Sequence, residues 1–280
     1  MLGEDFKKNF NYTGFPLEDA VYFKLSQDRR LKTFQEVPYS LDIYNKRGTI
    51  DILTISCVLP ETRWNLICPI ECKKASESES SWIFKPSQEE DFPLIDTFQR
   101  LNKGEAYLSR NVSVITDYPY FTNYFQCNSK TAKLSRNQTE RAFNAMITPN
   151  EMATSLIMMN MLDIAKYLNK KISWNSNFLI IPIVCTNAQL LTAKYDSKDI
   201  DISTGEIDIS RLNLEIVTSL FYAFPMGYGI SPLRVGDYPE KRLTVIVNSN
   251  KLVDLIDYLL KGFLDYIPAP KDLWDEQSLY

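Results

Sequence analysis

Three acidic-x-lysine triplets occur in the chain, at Asp5 to Lys7, Glu71 to Lys73 and Asp196 to Lys198. A carboxylate can ligate a hard cation and a nearby ammonium can orient water, provided both side chains project from one surface. Only Glu71-Cys72-Lys73 meets that condition by pattern. It ends an apolar run, Leu66-Ile67-Cys68-Pro69-Ile70, that reads as a strand, and strand residues two apart share a face. It also follows a second strand-like run, Thr49 to Ile55, in which Asp51 stands between isoleucines. If these strands are neighbours, Asp51 approaches Glu71 closely enough for one divalent ion to bridge both carboxylates. Without such an ion the two charges repel and raise each other's pKa.

The chain has no histidine. That removes Ser-His-Asp hydrolases, Cys-His proteases, HExxH zinc enzymes and nucleases with a histidine metal ligand. Chemistry built on carboxylates, lysine, tyrosine or a hard metal ion remains. Magnesium needs only oxygen ligands, so a histidine-free magnesium enzyme is chemically sound. The net charge of −4 and pI near 5.2 argue against a large nucleic-acid footprint and imply a narrowly focused site, a partner or a homodimer.

At 280 residues, 45% apolar and 24% charged, the chain is balanced like an ordinary globular protein and long enough for a full core. Residues 1–11 are polar and charged, without an apolar run, so a soluble, cytoplasmic protein with no membrane segment is expected. The five cysteines form no CxxC pair and read as buried free thiols. Three sequons, at Asn11, Asn111 and Asn137, read as chance matches.

The elements that must position the carboxylates follow from periodicity. Gly14-Phe15-Pro16-Leu17-Glu18 opens a helix running to about Asp28, with Leu17, Val21 and Leu25 toward the core and Glu18 half-buried at the stripe's edge. Runs 32–43, 49–59 and 64–73 then form a three-strand meander. Simple alternation in the middle run puts Ile50 and Ile52 on one face and Asp51, Leu53 and Ile55 on the other. Residues 81–84 form a short aromatic strand, and 111–116 another strand. Residues 139–168 are mostly helical with a break near Pro149, and 178–186 form a strand buried on both faces. Residues 188–195 are expected to continue it as a hairpin, 242–248 form a strand and 251–264 an amphipathic helix. The expectation is one α/β domain: a core over about 14–195, with a mixed central sheet flanked by helices, and a C-terminal strand-helix extension over about 196–280.

The chain resembles the PD-(D/E)XK nuclease superfamily through a helix bearing Glu18, a strand bearing Asp51 and the strand ending Glu71-Cys72-Lys73. It also looks like a bacterial subset with a Gly-Phe-x-x-Glu helix opening (Gly14 to Glu18), an Ile-Asp-Ile strand (Ile50 to Ile52), an Ile-Glu-Cys-Lys strand (Ile70 to Lys73) and a nearby Trp-x-Phe (Trp82 to Phe84). The resemblance covers roughly residues 14–85 and departs from the named motif at Ile50, where the pattern has proline. It implies a restriction-endonuclease-like core and a metal-dependent endonuclease acting on DNA or RNA, DNA ahead of RNA, in defence or repair. Magnesium or manganese would be held by Asp51, Glu71 and the backbone carbonyl of Cys72. Lys73 would orient or deprotonate the attacking water, and Glu18 would reach the site through water or Lys73.

Plainer readings stand beside these. Asp51, Glu71 and Lys73 would also make a solvated cross-strand ion-pair ladder, and Glu18 would complement the helix dipole from the first turn. Lys130, Lys133, Arg136 and Arg141, with Glu140 the one acid among residues 128–141, are the best candidates for phosphate contacts, and a solvated helix entry explains them equally well. Gly227-Tyr228-Gly229 lacks a preceding strand and reads as a loop. A non-catalytic module that binds nucleic acid or protein on the same fold is the alternative function.

Overall fold

A computed structural model describes residues 11, 13–41, 45–56, 64–75, 80–86, 94–100, 107–113, 120–127, 139–158, 177–225 and 241–261. Helix α1 (Phe15–Ser26) leads into β1 (Leu31–Leu41), β2 (Lys46–Ser56) and β3 (Trp64–Lys73). Strands β4 (Ser81–Pro86), β5 (Leu94–Arg100), β6 (Tyr107–Ser113) and β7 (Tyr120–Cys127) precede helix α2 (Thr139–Met158). Then come β8 (Asn177–Ile180), β9 (Ile183–Thr186), β10 (Gln189–Lys194), β11 (Asn213–Val217), β12 (Ser219–Pro225), β13 (Lys241–Asn248) and helix α3 (Leu252–Lys261). The class is α/β with a mixed sheet.

β1, β2 and β3 form the expected antiparallel meander. β3 then pairs in parallel with β8 and β9, and β9 pairs in parallel with β13. β8 and β9 flank Ile181-Pro182, where Ile181 N–H donates to Ile67 O and Pro182 O accepts from Val245 N–H, so 177–186 runs as one line with β3 along one edge and β5, then β13, along the other. Residues 179–185 are all buried, as their unbroken apolar sequence requires in a strand covered on both faces.

Helices cover both faces. On one, Val21 and Leu25 of α1 and Leu252, Leu255, Ile256 and Leu259 of α3 pack on Ile52, Ile70, Ile183 and Val245. Arg30, just past α1, pairs with Asp257 of α3 and holds the two helices together. On the other, Met152, Ala153 and Leu156 of α2 pack on Ile50, Leu53, Ile55, Ile67 and Ile180. A third cluster, on the α2 side of the later strands, joins Ala145 and Met146 to Trp82, Phe84, Tyr222 and Phe224.

Three expectations need correction. α2 runs through Pro149 without a break. Proline in a helix interior costs about 3 kcal/mol or more. Here Asn150 Nδ2 donates to Met146 O at 2.7 Å, and the buried Arg242 donates to Asn150 O at 2.6 Å, so side chains serve the disturbed turn while its packing offsets the cost. β10 forms no hairpin with β9, because β3 and β13 already occupy both of its edges; it pairs instead with β4 and β11. The C-terminal strand β13 lies inside the sheet beside β9. Third, the alternation expected across Thr49 to Ile55 does not hold. Ile50 packs on the α2 face with Leu53 and Ile55, whereas Ile52 packs on the α1 face.

Candidate metal centre

The broken alternation explains how the site forms. Ladder pairs Gln35↔Ile52 and Val37↔Ile50 bracket Glu36 and Asp51, which stand across from each other without a ladder pairing of their own. Glu36 has φ 51°, a left-handed conformation uncommon for a residue with a side chain. β1 changes faces there as well, since Phe34 and Val37 both pack on the α2 face. Both strands thus switch faces at the same rung, keeping their register while turning Asp51 out of strict alternation.

β2 and β3 part at the same level. Their ladder ends at Ile52↔Ile70, and continuing it would set Asp51 opposite Glu71. Instead Asp51 Oδ2 accepts the Cys72 N–H at 2.7 Å, replacing a main-chain acceptor with a carboxylate. Ile67 O bonds β8–β9, so the odd residues of β3 direct their main-chain groups that way and the even residues toward β2. The Cys72 carbonyl therefore faces the same gap as its N–H. Ile70 and Cys72 pack on the α1 face, so Glu71 and Lys73 project on the α2 face.

Glu18 enters from α1. It is buried at 7% exposure, deeper than the half-buried edge expected, and its Oε1 accepts from Gln35 Nε2 at 3.3 Å. Glu18, Asp51 and Glu71 act on one another electrostatically, and Lys73 acts on Asp51 and Glu71. Burial, then Asp51, pushes the Glu71 carboxyl up to about 8 against the opposing pull of Lys73, with Glu18 adding to the rise. Burial raises Asp51 too, while the Cys72 N–H and Lys73 hold it down. Burial and Asp51 raise Glu18, and Gln35 opposes them. Of the three, Glu71 is the one pushed as far as about 8, so a proton on Glu71 relieves the crowding of negative charge near neutral pH.

Among the described residues, no group of three or more His, Cys, Asp or Glu side chains is arranged to hold a metal ion. The candidate set needs only two carboxylates and the Cys72 carbonyl. Its fit rests on Glu71 Oε2, which is buried and has no hydrogen-bond partner among the described residues. Leaving an acceptor buried and unmet costs about 1–3 kcal/mol, which a cation at that position would remove. The thiols of Cys68, Cys72 and Cys185 are free and buried, as expected. A hydrogen bond with Cys185, then burial, holds the Cys72 thiol far above its ordinary value, so it is no nucleophile.

The phosphate-contact candidates Lys130, Lys133 and Arg136 lie outside the described residues; Arg141 falls in α2, with its side chain outside them, and Gly227-Tyr228-Gly229 is outside as well. A cavity of about 620 Å³ between β10–β12 and α3, lined by Thr192, Lys194, Phe221 and Tyr258 among others, shares no residue with the carboxylates. Raised pKa values on Glu18, Asp51 and Glu71, which lie within electrostatic reach of one another, mark the carboxylates and not this cavity as the candidate site.

Sequence reasoning missed Gln35, Glu36 and Tyr39. The observed register sets Tyr39 across from Gly48 and brackets Glu36 and Asp51, whereas a turn placed over Asn45 to Gly48 gives a different register, so neither juxtaposition is legible in the sequence. Tyr39 lies over Gly48, where an added Cβ would collide with its hydroxyl and ring. Its hydroxyl donates to the buried Glu151 of α2 at 2.8 Å, Lys46 pairs with the same carboxylate, and Glu71 lies within electrostatic reach. No helix among the described residues is long and apolar enough to cross a membrane. Compared with protein-family models, with curated proteins and with solved structures, the chain gives no match.

Proposed function

We propose that this chain is a metal-dependent phosphodiesterase, an endonuclease cutting DNA or RNA, on a restriction-endonuclease-like core. One observation carries the reading: the gap between β2 and β3, into which Asp51 and the Cys72 carbonyl face, with Glu71 and Lys73 at its rim and Glu18 behind it. A helix bearing Glu18, an antiparallel meander bearing Asp51 and Glu71, and a parallel strand beside it, with helices on both faces, support that core. A solvated ion-pair ladder would leave its carboxylates near their ordinary pKa, so the raised Glu71 favours the functional reading.

Asp51, Glu71 and the Cys72 carbonyl would hold magnesium or manganese, which when bound supplies a Lewis acid for the scissile phosphate and acidifies bound water. Glu71 must shed its proton to become a ligand, so binding strengthens as pH rises toward 8. Lys73 orients the attacking water and offsets charge that develops on the phosphate. Glu18 holds water at the rear of the gap. Lys130, Lys133, Arg136 and Arg141 supply phosphate contacts, with DNA ahead of RNA as substrate.

The test incubates the purified chain with double-stranded DNA, single-stranded DNA and RNA, in magnesium, manganese or EDTA. Cleavage that needs the metal and is lost in Asp51→Asn is the expected result. A chain that binds no divalent ion and cuts none of these substrates refutes the reading, and salt-sensitive binding without cleavage leaves a non-catalytic binding module.

A further inference from the structure

Glu18 would be a poor partner for the gap if its carboxylate could swing toward solvent along the exposed side of α1. One side chain prevents that. Gln35 Nε2 donates to Glu18 Oε1 at 3.3 Å and to Asp19 Oδ1 at 3.0 Å, so its amide spans two consecutive acids of the first helical turns. Gln35 is also the ladder partner of Ile52, one residue from Asp51. Ordinary alternation, from Leu31 on the α1 face and Phe34 on the α2 face, points it toward α1. The change of faces comes just after it, at Glu36 with φ 51°, which returns Val37 to the α2 face. A non-glycine residue in that conformation persists where the surrounding structure over-determines it.

We infer that Gln35 is a positioning residue of the candidate metal centre: its amide holds Glu18 at the rear of the gap beside Asp51. The inference rests on the proposed metal site. Gln35 touches neither metal nor substrate and acts through Glu18. A carboxylate fixed in this way can order a water at the rear of the gap, whereas a free one spends much of its time elsewhere.

The decisive experiment is a double-mutant cycle read by manganese titration, with melting temperature alongside. Gln35→Leu keeps the side chain's bulk and removes its donors. It is expected to weaken manganese binding by up to about tenfold, the loss that removing Glu18 itself, an outer-shell group, would bring, with melting moved by no more than about 2 °C. In a Glu18→Gln background the same substitution should add almost nothing, because a residue that acts through Glu18 has nothing left to position. Equal effects of Gln35→Leu with and without Glu18, or unchanged manganese affinity in Gln35→Leu alone, overturn the inference. Wild-type protein that binds no manganese refutes the metal site itself, and the inference with it.

Discussion

Glu71→Gln should make the metal-free protein more stable at alkaline pH. The folded-state carboxyl titrates near 8, against an ordinary value of 4.5. Between those values the folded protein holds a proton that the unfolded chain releases, so stability falls as pH rises. The contribution is complete below about 4.5 and is lost as pH passes through about 8. At 1.36 kcal/mol per unit, a shift of about 3.5 units sets a ceiling of roughly 5 kcal/mol. Relaxation of the gap and entry of water reduce that, and about 2 kcal/mol at pH 8.5 is expected, or about 4–8 °C in melting temperature. Glutamine keeps the shape and never ionises, so the variant should melt with wild type at pH 5 and above it at pH 8.5. The assay is thermal melting from pH 5 to 9 in EDTA, repeated with manganese. Manganese should raise the wild-type melting temperature most at high pH and leave the variant almost unmoved. Glu18 and Asp51, also raised, keep a residual slope of the same sign in the variant. Two curves that stay parallel across the whole range in EDTA would refute the reasoning.

Lys73→Ala should cut turnover about 10²-fold or more while leaving melting and manganese affinity nearly unchanged, the pattern of a positioned acid-base group and not of a ligand; single-turnover cleavage with metal titration checks it. Gly48→Ala should destabilise the protein by about 1–3 kcal/mol in urea unfolding, because its methyl group must displace a Tyr39 ring anchored on Glu151. Reversing Lys133 and Arg136 to glutamate should weaken nucleic-acid binding and flatten its dependence on salt, read by fluorescence anisotropy between 50 and 200 mM salt.

Much of the frame was legible because it rests on local signals. The helix at Phe15 is set by Pro16 and the spacing of Val21 and Leu25, and β8–β9 by an apolar run too long for a half-exposed strand. The approach of Asp51 to the end of β3 followed from two adjacent strands and a short connection. What escaped depends on tertiary structure. Nothing in Gln35-Glu36-Val37 marks a left-handed residue, since glutamate is not chosen for that conformation, and so the shared face switch and the role of Gln35 were invisible. Pro149 reads as a helix break because the bonds that tie the neighbouring Asn150 to Arg242 and Thr244 of β13 come from the rest of the fold. β10 was assigned to β9 because its proximity in sequence was visible, whereas the occupation of both β9 edges was not.

A crystal grown with manganese, with data collected at the manganese absorption edge, decides whether Asp51 and Glu71 form a metal site. One anomalous peak is expected in the gap between β2 and β3, within about 2.0–2.6 Å of oxygens from Asp51, Glu71 and the Cys72 carbonyl, and its loss in Glu71→Gln. No peak there at saturating manganese, or a peak that leaves Glu71 Oε2 unliganded, would contradict such a site.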